Sequence, residues 1–377
     1  MRNKKRIVIV SQCFWPDTAS VAQHLSDLAE ELSKKDHKII VYTSIFSYEN
    51  KSIRYSKNEL YKGIQIKRIY HSFFGKNFFV GRIIDFITFN IGVIFPLFFL
   101  KKNKIDLIIG MPPPPLLPFL VSFISNAKQV PFVYWAMDLQ PELSYATGLL
   151  QEGSFIGKIL NYLTYFTVKH SSKIIALDKD MKKYLISKGA DERHTFSVPV
   201  WQVMKKTYKG KRLTNQFRII NNFDDKIVIM YSGNYGNAHP IDCLLETALL
   251  LKNDDSFLFV FVGGGTQYDK VKHFRIRLGC TNIKQLPYQP RENIHISLAS
   301  ADFHVVVLNK KTVGFTHPNK IYGAMYVGRP VLFIGPQKSY AGEILKKVPG
   351  NLLFEENDSK KIADVLSKSK DKLEYYR

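Results

Sequence analysis

Five short stretches of this chain place side chains where chemistry could be done. Tyr231-Ser232-Gly233-Asn234-Tyr235-Gly236-Asn237-Ala238-His239-Pro240 joins an apolar run to a helical one and is rich in hydrogen-bond donors, which suits a phosphate or a sugar. Val262-Gly263-Gly264-Gly265 ends a second apolar run, where the backbone must pass close to something flat or tight. Thr316-His317-Pro318-Asn319-Lys320-Ile321-Tyr322-Gly323 opens a helix that ends at Gly328. There the helix dipole, free N–H groups and the Lys320 cation converge, as an anion would require. Tyr134 to Glu142 is a strand end with two carboxylates, Asp138 and Glu142, four residues apart. That is a place for a catalytic carboxylate, and equally one where Asp138 would cap the next helix. Ser11 to Ser20 has small residues, Ala19 and Ser20, at a helix start. They would let backbone N–H groups approach a phosphate, or simply make a strand-to-helix turn.

These stretches follow strands, and the strands repeat. Arg6 to Ser11 (RIVIVS) reads as a buried strand, Ser20 to Lys34 has apolar residues at helical spacing, and Lys38 to Thr43 is a second strand. A β-α-β opening implies a right-handed crossover and a parallel sheet. Further strands are predicted at 64–70, 106–110, 132–135 and 173–177. A second cycle starts at Ile227 to Ser232, with strands at 257–262, 283–286, 303–308 and 330–334. The fold class is therefore α/β, with two doubly wound, Rossmann-like domains, at 1–198 and 226–377. Between them, 199–225 is polar, with six basic residues from Lys205 to Arg218, and reads as a linker. Ligands in such sheets sit at the carboxyl ends of the strands, here expected in the cleft between domains.

Composition narrows the partners. The 377 residues carry a formal net charge of +22, divided evenly as +11 in 1–200 and +11 in 201–377. An excess of this size implies an anionic partner. With no basic arm and no nucleic-acid-binding module, nucleic acid is not expected. Cys13, Cys243 and Cys280 are dispersed and odd in number, so neither a zinc site nor a disulfide framework is implied, and a reducing, cytoplasmic setting is expected. No secretory leader is read at the front. There is no G-x-G-x-x-G after the first strand, no P-loop and no G-x-S-x-G, which removes dinucleotide oxidoreductases, P-loop kinases and serine hydrolases.

Phe78 to Leu100 (FFVGRIIDFITFNIGVIFPLFFL) approaches the length of a membrane span. Arg82, Asp85 and Asn90 argue against spanning, and Pro96 would kink the helix. A buried helix, a monotopic helix lying in the bilayer surface and, last, a true span remain open. Seven basic residues and one acidic residue lie between Lys51 and Lys76, and Lys101, Lys102 and Lys104 follow the segment. Such flanks suit an anionic membrane surface, so 51–104 is read as membrane-proximal.

In order and spacing these motifs resemble the retaining glycosyltransferases of family 4, which have the GT-B fold. The likeness is closest to bacterial members that build O-antigen, capsule or other exopolysaccharides. It runs from VSQCFWPDTASVAQHLSDLAEEL through IDLIIGMPPPPLLPFL, VPFVYWAMDLQPELSYATGLL and VPVWQV to IVIMYSGNYGNAHPIDCLLETALLL, FVFVGGG, IKQLPYQPRENIHISLASADFHVVVL and HPNKIYGAMYVGRPVL. The resemblance implies a nucleotide-sugar donor, UDP- before GDP-linked, held mainly by the second domain. Gly233, Asn234 and His239 would face the diphosphate, while Gly263, Gly264 and the backbone around Tyr288 would hold the base. Lys320 would pair with phosphate beside Pro318 and Asn319, and Tyr322 or Gly323 would lie near the ribose. Ala19 and Ser20 would complete the donor site, with Asp138, then Glu142, on the acceptor side. The acceptor would be a lipid-linked saccharide of the undecaprenyl-diphosphate type, at the inner face of the cell membrane. The last helix could pack back on the first domain.

The departures from the family pattern bear on mechanism. The two glutamates eight residues apart that many members carry are Phe315 and Gly323 here, and the usual Arg and Lys of the third motif are Asn234 and His239. More weight therefore falls on Lys320. A nucleoside diphosphate leaves readily, so N–H groups and Lys320 acting on the developing phosphate charge would suffice. No aspartate-x-aspartate motif is present, so no metal and no cofactor are expected. Two rival readings are a nucleotide-sugar 2-epimerase on the same fold and a non-catalytic partner subunit.

Overall fold

Ile7 to Val10 are buried on both faces, as only an inner strand of a parallel sheet is. The computed structural model describes residues 4–48, 52–74, 79–204, 206–212, 214–223 and 225–370. They divide into two units, one made of 1–203 with 314–316, the other of 204–313 with 317–377. Lys51, Lys76 and Phe78, which belong to the stretches read as membrane-proximal, Lys205 of the stretch read as a linker, and residues 371–377 lie outside the described residues.

In the first unit, among the described residues, the strands are β1 (Arg6–Val10), β2 (Lys38–Ser44), β3 (Asn58–Tyr61), β4 (Ile64–Ile69), β5 (Leu107–Gly110), β6 (Phe132–Trp135), β7 (Lys173–Ala176) and β8 (Thr195–Ser197). They form one sheet in the order β3-β4-β2-β1-β5-β6-β7-β8. Only the β3–β4 pair is antiparallel. The chain order reverses between β1 and β5, so the loops after these strands open a crevice at their carboxyl ends. Helix Ser20–Lys34 follows β1 and buries Ala22, Leu25 and Ala29, the three-and-four spacing that the sequence shows.

Helix Phe79–Phe99 has one face in the first unit and one outside it. Phe89, Val93 and Leu97 are buried, and the buried Asp85 carboxylate accepts a hydrogen bond of 2.9 Å from the Phe74 N–H. On the opposite side Ile83, Ile87, Ile91, Phe95 and Phe98 are exposed. The Asp85 charge that argued against a span is thus a packing device, and the apolar residues of the opposite side keep much of their surface exposed.

In the second unit, among the described residues, the strands are β9 (Ile227–Asn234), β10 (Phe257–Gly264), β11 (Ile283–Leu286), β12 (Phe303–Val307), β13 (Val331–Ile334) and β14 (Leu352–Phe354). All pair in parallel, in the order β11-β10-β9-β12-β13-β14. This is the dinucleotide-fold winding, reversing between β9 and β12. Side chains alternate across β9: Ile227, Ile229 and Tyr231 enter one core, Val228 and Met230 the other. The last helix, Ser359–Lys368, buries Ile362, Ala363 and Leu366 in the second unit's own core.

The stretch read as a linker divides. Residues 199–203 belong to the first unit, and those from 204 belong to the second. The reason is a buried charge cluster. Arg212 Nε and Nη2 donate to both carboxylate oxygens of Asp302, at 2.5 and 2.9 Å. Arg218, on helix Gln216–Ile220, donates to the Ser300 and Lys226 carbonyls at 2.7 Å. Two of the six basic residues of the stretch, Arg212 and Arg218, thus tie this segment to the amino-terminal edge of the sheet.

Candidate active site

The site is built at the carboxyl ends of β9, β10 and β12, where the second sheet reverses. Gly233 and Gly263 lie opposite one another in the β9–β10 ladder, with φ of 123° and 127°. A methyl group on Gly263 would fall 2.3 Å from the Gly233 carbonyl oxygen. Only glycine allows the two strand ends this close approach. Gly265, with φ 137°, is pressed against Asn234 and Tyr235 in the same way.

Lys320 reaches over from the helix Lys320–Tyr326. Its ammonium donates to the Asn234 carbonyl at 3.3 Å and stands 5.0 Å from the centre of the Tyr231 ring. A side chain at Gly233 would meet its Cε at 2.9 Å, so the glycine makes room for the lysine. His239 belongs to the same group of residues. Its Nδ1–H donates to the Val307 carbonyl at 3.3 Å, which leaves Nε2 with a lone pair. Burial, and then the Lys320 charge, push its pKa down to about 3, so the ring is neutral.

Tyr288 closes the side by β10. It is 55% exposed, its hydroxyl donates to the Gly264 carbonyl at 3.3 Å, and its ring lies against Gly263 and Gly264. On the other side, His317 is buried and shares a 2.9 Å hydrogen bond with the Tyr322 hydroxyl, the two rings stacking at 5.6 Å. Sequence reasoning gave His317 no place in the donor site. Its spacing of five from Tyr322 and three from Lys320 was the available signal.

The helix start at Asn319 and Lys320 offers less to an anion than its sequence suggested. The N–H groups of Ile321 and Tyr322 already donate to the Pro318 and Asn319 carbonyls, at 3.2 Å each, and the helix has seven residues. The positive potential here therefore rests on the Lys320 side chain. Gly323 is buried inside the helix.

Of the expected site residues, Gly233, Asn234, His239, Gly263, Gly264, Tyr288 and Lys320 are brought together, with Pro318, Asn319 and Tyr322 adjoining. Ala19, Ser20, Asp138 and Glu142 belong to the first unit. Ala19 precedes helix Ser20–Lys34 without a side-chain cap. Asp138 is exposed and accepts a 2.7 Å hydrogen bond from Thr316, which belongs to the same unit. It caps no helix, because the next one, Glu142–Ala146, starts after Pro141. Glu142 is 4% exposed, accepts a 2.5 Å hydrogen bond from Tyr184 and lies 3.7 Å from Lys188. Its surroundings are those of a carboxylate that braces helix Lys179–Ser187.

Residues 226–369 match the family described as glycosyl transferases group 1. The chain carries a glycosyl transferases group 1 domain. Every residue of the β9–β10–Lys320 cluster falls within this group 1 domain. The chain is 24% identical over 234 residues to the probable glycosyltransferase WbjE of Pseudomonas aeruginosa, a match spanning 62% of this chain and 58% of WbjE. It is 21% identical over 369 residues to the putative colanic acid biosynthesis glycosyl transferase WcaI of Escherichia coli (strain K12), spanning 94% and 89%. Among solved structures, Anabaena HepE in complex with UDP and glucose superimposes with a TM-score of 0.68 at 15% identity, over 97% of this chain and 89% of HepE. WaaG, a glycosyltransferase involved in lipopolysaccharide biosynthesis, gives 0.68 at 15% identity over 96% and 90%. The GT-B fold read from the sequence is thus the fold of this chain. The transferase class read with it agrees with the group 1 domain and with both relatives.

Proposed function

We propose that this chain moves a sugar from a UDP-sugar to a lipid-linked saccharide in bacterial cell-surface polysaccharide assembly, with retention at the anomeric carbon. The observation that carries the reading is the Lys320 ammonium held beside the touching ends of β9 and β10, inside the group 1 domain. HepE, of the same fold, is described with UDP and glucose, and the names of WbjE and WcaI support the transferase and polysaccharide parts of the reading.

The chemistry follows from the leaving group. As the bond from the anomeric carbon to the diphosphate oxygen breaks, negative charge grows on the phosphate. Lys320, beside the strand ends, would neutralise that charge. The glycines at 233 and 263 admit the Lys320 side chain and the close strand ends, and the exposed Tyr288 ring offers the base a face to stack on. Neutral His239 presents a lone pair, which suits a hydroxyl donor on the sugar better than a bare phosphate oxygen. Asp138 is the candidate to orient the acceptor hydroxyl, since Glu142 is occupied by Tyr184. No metal is assigned a part in this scheme. The acceptor's lipid places the reaction at the inner face of the cell membrane, where helix Phe79–Phe99 and its basic flanks would hold the first unit.

Release of nucleoside diphosphate from a panel of UDP- and GDP-sugars, with and without a lipid-linked acceptor, tests the proposal. Acceptor-dependent release of UDP is expected. Turnover of the donor without acceptor would point to an epimerase, and no turnover with any donor would overturn the transferase reading.

A further inference from the structure

Helix Phe79–Phe99 does not present its apolar face alone. Helix Leu117–Lys128 lies beside it, and helix Phe155–His170 lies beside that. Lys128 joins the first pair by donating to the Phe98 and Leu100 carbonyls, and Phe119 joins the second by an edge contact with Phe166, centroids 5.3 Å apart. Helix Phe155–His170 buries little: Phe155 is 78% exposed, Tyr162 63% and Ile156 60%, with Ile159 also exposed, and Phe123 is exposed on helix Leu117–Lys128 beside it.

The charge on this three-helix layer has one sign. Arg82, Lys128, Lys158 and Lys169 lie on the helices, and Lys101, Lys102 and Lys104 lie just past the first. The one acidic residue of the three helices, Asp85, is buried. Aromatic and aliphatic side chains interleaved with lysines, with no outward carboxylate, complement a broad anionic sheet with an apolar interior.

We propose that helix Phe155–His170 docks on the same anionic bilayer surface as helix Phe79–Phe99, so that the first unit lies on the membrane through both helices and neither crosses it. This inference rests on the membrane location proposed above. A spanning arrangement would strip Asp85 from the Phe74 N–H and Thr88 from Ser72, and would expose a buried carboxylate to hydrocarbon. Lying flat keeps both contacts and covers the exposed residues of both helices.

Sedimentation of the full chain with vesicles of phosphatidylcholine and phosphatidylglycerol tests this. Replacing the exposed Ile156 and Ile159 together by Glu removes two apolar side chains from the proposed lipid contact and adds two negative charges, so partitioning should fall by about tenfold or more. The far-UV circular dichroism and thermal melting of the full-chain variant should match wild type, which shows that the first unit is folded, and UDP affinity, which reports on the second unit, should not change. The fluorescence of a Phe155→Trp variant should shift to the blue on binding and be quenched by lipids brominated near the headgroup. Unchanged sedimentation of the double variant, or an indole signal from Phe155→Trp that is blind to brominated lipid while the chain stays bound, would overturn the role of this helix and leave the anchoring by Phe79–Phe99 standing. Failure of the wild-type chain to bind these vesicles would overturn both, whatever its transferase activity.

Discussion

Replacing Gly263 by Ala is the sharpest probe of the strand-end cluster. The added methyl group would lie 2.3 Å from the Gly233 carbonyl oxygen and 3.2 Å from a Tyr288 ring carbon. The first neighbour is backbone held in the paired ladder, one pair from its end, and has nowhere to go. The φ of 127° is also one that side-chain-bearing residues rarely adopt. Backbone strain of this kind costs about 1–3 kcal/mol, and overpacking against an unyielding neighbour about 1–3 kcal/mol more. For a unit of this size that corresponds to a melting temperature lower by roughly 5–20 °C. Gly264→Ala is the matched control. Its methyl group meets a Tyr288 ring carbon at 3.2 Å, and that ring can swing away, so the stability loss should stay near or below about 1 kcal/mol. Scanning calorimetry reads the stability of both variants, and titration calorimetry with UDP reads the site. We expect Gly263→Ala to lose both stability and UDP binding, and Gly264→Ala to lose mainly binding through the displaced tyrosine. Equal melting temperatures for Gly263→Ala and wild type, or equal losses in the two variants, would refute the close approach of β9 and β10 as the organising contact.

Other expectations follow from the same geometry. Lys320→Ala should weaken UDP binding by about 10- to 100-fold, the range for losing one charge-assisted hydrogen bond, as measured by titration calorimetry. Unaltered affinity would remove Lys320 from the diphosphate. Asp302→Ala leaves the buried Arg212 and Arg218 without their carboxylate and should cost about 3–5 kcal/mol in denaturant unfolding of the second unit. His304, on β12, donates to the Leu298 carbonyl at 2.9 Å, and burial pushes its pKa down to about 4. Unfolded chains therefore bind more protons than folded ones between pH 6.5 and about 4, so this contribution is intact above that window and is lost as pH falls through it. His304→Gln should flatten the acid limb of the stability profile, and an unchanged limb would place the effect elsewhere.

Inner strands were readable in the sequence because burial on both faces demands unbroken apolar runs. RIVIV at β1 and FLFVF at β10 are short, rich in β-branched or aromatic residues and followed by turn residues, which favours a buried strand over a helix. The strands not anticipated, β3 (NELY), β8 (TFS) and β14 (LLF), all lie at a sheet edge, where one side is unpaired and three or four residues carry no periodicity. The glycines of the site were legible for a similar reason, since a strand that ends in consecutive glycines announces a close approach. Side-chain partnership was not legible. Asp138 and Glu142 stand four residues apart in one motif, yet one is exposed beside Thr316 and the other is sealed under Tyr184. Nothing in the spacing distinguishes them, because their partners come from 178 and 42 residues away. Arg212 and Arg218 could not be told from the exposed Lys206, Lys209 and Lys211 around them for the same reason, as their acidic counterpart lies at the start of β12.

That counterpart decides where the second unit begins as an inheritable piece. The family match starts at residue 226, and a gene fragment cut there would look complete by sequence. It would lack Arg212 and Arg218, leaving the Asp302 carboxylate at a raw sheet edge with the Val228 N–H to answer it. Such a fragment should be recovered aggregated or unfolded, whereas one that starts at 204 brings its own seal. Any recombination event that exchanges this unit between related chains must therefore break upstream of the arginines, or carry a new partner for the aspartate along with it.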